Sequence, residues 1–197
     1  MCLKKEGLLF VGISLILFLE LFILTFLYSY EDLYQFGIRL TAMIGFASLF
    51  VSVIMSDFFE EFDENGKKNL IYHHSFSIIG IVLITLHPVI FAVYKSDIGI
   101  FLPKFDSWII FWELAGRPSL ILLYIGFVSG FLLRAYKKSW RGVHMIVYIA
   151  LFFGLVHGYL IGTDFQNPFV TLLFVLMFLV SIYVLIDKRF KQKNKNS

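Results

Sequence analysis

The stretch WRGVHMIVYIALFFGLVHG, Trp140 to Gly158, places two histidines, His144 and His157, in an otherwise apolar run of helix length. A second stretch, HHSFSIIGIVLITLHP from His73 to Pro88, has the same construction. Each belongs to a run long enough to cross a bilayer, which takes about 20 apolar residues. The chain is therefore expected to be helical and to lie in a membrane.

The spacing carries the chemistry. His157 follows His144 by 13 residues, and His87 follows His74 by 13 and His73 by 14. Thirteen residues of α-helix rise about 20 Å, inside a hydrocarbon core of about 30 Å. Two such helices side by side hold one histidine pair near each membrane face. Neutral imidazole is a good axial ligand for haem iron, and a pair from two helices fills both axial positions. Two pairs predict two stacked haems, with a single haem as the alternative. At about 100° per residue, 13 steps leave two side chains about 140° apart and 14 steps only about 40°. Phase thus favours His73 beside His87, whereas equal rise on both helices favours His74, to which the sequence reading leans.

Composition sets the class. Of 197 residues 59% are hydrophobic and 16% charged, and the mean hydropathy is +0.82. Soluble domains are about half apolar, so an integral membrane protein is expected. The single cysteine, Cys2, excludes an internal disulfide framework, a covalent CxxCH haem attachment and a multi-thiolate metal site. Any haem is then b-type. A net charge of +3 gives no indication of nucleic acid.

Six apolar runs are expected to span, at about 7–28, 38–58, 74–94, 118–136, 143–161 and 168–186. The fold class is all-α, a six-transmembrane-helix bundle forming one domain over 1–197, with haem between the third and fifth helices. Residues 187–197 form a basic tail, read as unstructured on the anionic inner leaflet. Lys4 and Lys5 precede the first run but no small-residue cleavage site follows it, so it reads as a retained anchor. Lys67, Lys68, Arg134, Lys137, Lys138, Arg141 and the basic tail fall on the same side as these lysines. The positive-inside rule then makes both termini cytoplasmic, most simply in a bacterial inner membrane. The loop segment DSWIIFWEL places Trp108 and Trp112 on one face of a short interfacial or re-entrant helix.

Haem propionates need cations, and Arg39, Arg117, Arg134 and Arg141 stand at the ends of the runs. Ordinary snorkelling is the competing reading of those arginines. Glu20, flanked by leucines within the first run, is read as bonding a neighbouring helix, with proton uptake as the alternative. The acidic run Asp57, Glu60, Glu61, Asp63 and Glu64 reads as a solvated loop.

Trp140, His144, Tyr148 and His157 resemble the W-x3-H-x3-Y-x8-H pattern of the MsrQ haem subunit, within the ferric reductase-like transmembrane domain family that also includes ferric reductases and NADPH oxidases. Arg117-Pro118 is similar to an RP pair in the MsrQ subgroup, and His87 to the family's outer ligand. His73 and His74 depart from MsrQ-like members, which tend to carry arginine there, and look like the reductases and oxidases. The resemblance covers most of the chain. It implies haem b, with His73 or His74, His87, His144 and His157 as ligands. It also implies electron transfer as an oxidoreductase component, from a separate cytoplasmic flavin reductase or flavodoxin-like donor to an outer acceptor. That acceptor is ferric iron, oxygen or an extracytoplasmic reductase partner. No flavin or nicotinamide domain and no glycine-rich dinucleotide fingerprint is expected in this chain. Two rival readings are a proton-coupled non-haem transporter and a structural membrane subunit.

Overall fold

The computed structural model describes residues 5–29, 32–56, 69–132 and 140–195. Among them the structure is all-helical, with no strand. The helices are α1 (Lys5–Ser29), α2 (Leu33–Met55), α3 (Asn69–Lys95), α4 (Trp108–Glu113), α5 (Gly116–Leu132), α6 (Trp140–His144), α7 (Ile146–Ile161) and α8 (Pro168–Lys195), with 3-10 turns at Ile98–Phe101 and Thr163–Gln166. Four segments are long and apolar enough to cross a membrane: Leu33–Met55, Tyr72–Lys95, Gly142–Ile161 and Pro168–Asp187. This is the architecture of a membrane protein. The backbone of α8 runs on to Lys195, where the sequence predicts an unstructured tail. Lys, Arg and Gln are good helix formers, and propagating a formed helix is far easier than starting one. The acidic run 57–64, Lys67, Lys68, Arg134, Lys137 and Lys138 lie outside the described residues.

The chain divides into two compact units, Met1–His87 with Leu179–Ser197, and Pro88–Phe178. In the first, Asp32 starts α2 by accepting from the N–H groups of Tyr34 and Gln35 at 2.9 and 3.2 Å. Helix α2 is the core of this unit, buried almost continuously from Gly45 to Met55. Its seam with α3 depends on two glycines. A methyl on Gly80 would lie 2.7 Å from Leu49 Cδ2, and one on Gly45 would lie 2.9 Å from Ile84 Cγ1. Only glycine lets the backbones approach so closely. Thr25, Thr41, Ser48 and Thr85 each donate to the carbonyl four residues back, which satisfies a hydroxyl without water. Helix α1 turns Leu21 and Thr25 inward and leaves Leu15, Ile16, Leu19 and Ile23 exposed, as suits contact with lipid. Glu20 is also on the exposed side.

In the second unit α3 ends in a Schellman closure. Asp97 N–H donates to Ala92 O at 3.1 Å and Ser96 N–H to Val93 O at 3.2 Å, with Ser96 left-handed at φ 52°. Helices α5 and α7 pack closely, with Ser119 Oγ donating to Ala150 O at 2.7 Å and Gly126 lying against Val147. The short α4 seats Trp112 on Phe152 and Phe153, at ring separations of 6.1 and 5.3 Å. Trp108 of α4 stays 75% exposed.

Candidate functional site

A histidine in a membrane span carries one N–H that must find an acceptor, because an unsatisfied polar group in an apolar medium costs about 2–7 kcal/mol. In the first unit His73 Nδ1 lies 2.9 Å from the carbonyl oxygen of Ser52, and His87 Nδ1 lies 2.9 Å from that of Ile38. In the second, His144 Nδ1 lies 2.8 Å from Gly126 O, and His157 Nδ1 lies 2.6 Å from Glu113 O. A carbonyl oxygen only accepts, so the proton in each ring sits on Nδ1 and the lone pair on Nε2. These four imidazoles therefore share one tautomer. It is the form in which metal-bound histidines usually occur, with the remote N–H held by a backbone carbonyl or carboxylate.

Register explains the repetition. Along α3 the positions 73, 80 and 87 step by seven residues, and opposite them on α2 stand 52, 45 and 38. The outer positions are histidine–carbonyl pairs and the middle one is the Gly80–Gly45 approach. His73 and His87 consequently share a face of a helix that continues through Pro88. His74 is on another face, its ring centroid 5.5 Å from that of His73 and tilted by 51°.

Helix phase differs in the second unit, where the helix is interrupted at Met145 between α6 and α7. Tyr148 N–H donates to Met145 O at 3.1 Å, a three-residue closure directly after His144. Each residue of such a turn advances about 20° more than in an α-helix. The interruption thus reduces the 140° phase gap that 13 α-helical steps impose.

Glycines make room for both rings. A methyl on Gly116 would lie 2.8 Å from His157 Cδ2 and 2.9 Å from Nε2, while one on Gly130 would stand 3.5 Å from His144 Nδ1. Trp140 packs against His144 at a ring separation of 6.1 Å, one helical turn earlier. Of the predicted propionate partners, Arg39 is half-buried and follows Ile38, the acceptor for His87. Arg117 follows Gly116 and donates through Nη1 to Gly99 O at 3.2 Å and Leu102 O at 2.7 Å. Arg134 and the side chain of Arg141 lie outside the described residues. Among the described residues no three His, Cys, Asp or Glu side chains converge as a metal-ion cage would need. No protein-family model, curated protein or solved structure matches the chain.

Sequence reasoning missed the acceptor carbonyls of Ser52, Ile38, Gly126 and Glu113, because every residue offers a carbonyl. The glycines had a signal. Gly126 and Gly130 form a G-x-x-x-G pair, the spacing of close helix approach.

Proposed function

We propose that this chain is a haem b-binding membrane electron-transfer subunit of the ferric reductase-like type, with His73, His87, His144 and His157 as axial ligands. The observation that carries the reading is the common tautomer: four of the five histidines hold Nδ1–H on a backbone carbonyl and present Nε2 as the basic nitrogen. The same observation favours His73 over His74. Pairing of His73 with His144 and of His87 with His157, in a six-span bundle, follows from the matched spacing in the sequence.

A bound haem b supplies one-electron transfer at its iron. The chain's own residues orient and tune. Each carbonyl fixes its imidazole ring and raises the basicity of Nε2. Arg39 and Arg117 offer positive charge one residue away from groups that touch His87 and His157. Electrons enter from a cytoplasmic flavin protein docked on the basic segment 134–141, where opposite charge speeds encounter. They leave to ferric iron, oxygen or an extracytoplasmic reductase on the other side.

A reduced-minus-oxidised spectrum of the purified protein, with haem quantified per chain, tests this. A b-type spectrum near two haems per chain is expected. Replacing any of the four ligands by alanine should lower haem content, and His74→Ala should leave it unchanged. A protein without haem after expression with ample haem supply would overturn the reading and put the proton-relay and structural alternatives first.

A further inference from the structure

We infer that Ser52, supported by Ser77, is a positioning residue that sets the ligand strength of His73; the inference rests on His73 being a haem ligand. Ser52 turns two acceptors toward one imidazole. Its carbonyl oxygen and its hydroxyl oxygen each lie 2.9 Å from His73 Nδ1. The hydroxyl also has its own proton to place, with Ser77 Oγ at 2.6 Å and His73 O at 3.1 Å as acceptors. Committing that proton to α3 aims a hydroxyl lone pair at the histidine N–H.

Mere satisfaction of the hydroxyl does not need this arrangement. Ser48 and Thr41, on the same helix, bond to the carbonyl four residues back, whereas the Ser52 hydroxyl reaches across to a neighbouring helix. Ser52 is also 2% exposed. In so dry a place a hydrogen bond is electrostatically stronger than in water. Two acceptors on Nδ1–H push electron density toward Nε2 and make the imidazole a stronger donor. A stronger axial donor favours ferric over ferrous iron, so the hydroxyl lowers the reduction potential of the haem it serves.

The test uses purified holoprotein carrying Ser52→Ala, Ser77→Ala or Ser52→Thr, with His73→Ala to identify the haem component that belongs to His73. Redox titration followed by visible spectra is combined with electron paramagnetic resonance of the ferric state. Ser52→Ala should retain haem and raise the midpoint of the His73-dependent component alone, with a shift in that component's resonance. Ser77→Ala should shift it the same way by less, and Ser52→Thr, which keeps the hydroxyl, should leave it near the wild-type value. Haem retained with an unmoved midpoint in Ser52→Ala overturns this inference while leaving the ligand reading intact. An equal shift of every component also overturns it, since that marks general loosening. Absence of haem from the wild-type protein removes both.

Discussion

His157 donates from Nδ1 to the carbonyl of Glu113 at 2.6 Å, and 13 residues earlier on both sides His144 donates to Gly126 at 2.8 Å. A step along the histidine-bearing segment is matched by an equal step along its antiparallel neighbour. The first unit keeps the same rule with a step of 14, from Ser52–His73 to Ile38–His87. In both units the acceptor segment precedes the histidine segment in the chain. A backbone carbonyl has two lone pairs, so one inside a helix can bond its own helix and still accept an imidazole N–H. Each unit thus holds two histidines by register, without any repeat in the sequence.

Gly116→Ala should disturb His157 far more than Gly130→Ala disturbs His144. The added methyl at 116 meets the imidazole at 2.8 Å, inside any real contact, whereas at 130 it meets the ring at 3.5 Å, an ordinary one. Overpacking of this kind costs about 1–3 kcal/mol. On the haem reading, Gly116→Ala lowers haem per chain and Gly130→Ala does not. Equal haem content in the two variants would count against the seating of His157 described above.

Hydropathy made the apolar helices legible because a span must be apolar over its whole length. The four histidines were legible because ionisable side chains are rare there. The choice between His73 and His74 was not decidable from spacing, since phase and rise gave opposite answers. What separates them is the partner across the seam: a carbonyl of α2 lies at hydrogen-bond distance from His73 Nδ1. The interruption at Met145 was equally hidden, because methionine is a good helix former and nothing in HMIVY marks a tightened turn.

The α2–α3 seam should respond to volume at its two glycines. Gly80→Ala drives a methyl to 2.7 Å from Leu49 Cδ2 and 3.1 Å from Gly45 O, one a movable side chain and the other backbone. A loss of about 1–3 kcal/mol is expected, read as a lower thermal midpoint in detergent. Leu49→Ala in the same chain should recover part of it, because the two changes share one space and cannot be additive. Strict additivity in the double variant would show that the seam is not where the strain arises.

Arg117 ties the 3-10 turn Ile98–Phe101 and the residue after it to the start of α5 through the carbonyls of Gly99 and Leu102. Arg117→Gln removes the guanidinium and should release that turn at a cost on the order of 1 kcal/mol. Hydrogen exchange should then rise over residues 98–102 while the middle of α5 stays protected. Unchanged exchange in the turn would mean that the aromatic packing of α4 holds the segment without the arginine.

Trp108, Phe105 and Ile109 are 75%, 75% and 68% exposed in a segment that joins two apolar helices. Indole and benzyl groups favour the headgroup region, where an apolar ring gains from leaving water while a polar edge stays wet. Trp112, by contrast, is packed on Phe152 and Phe153. The chain's single cysteine, Cys2, permits a clean labelling background once replaced by serine. Nitroxide labels placed at 105, 108 and 109 in nanodiscs should be relaxed by oxygen more than by a water-soluble nickel complex, at shallow depth. A label at Lys104, which is exposed within the same loop, should show the reverse. Equal response to the nickel complex at all four sites would place the loop in water, and protection from both agents at 108 would mean that protein rather than lipid covers this aromatic face.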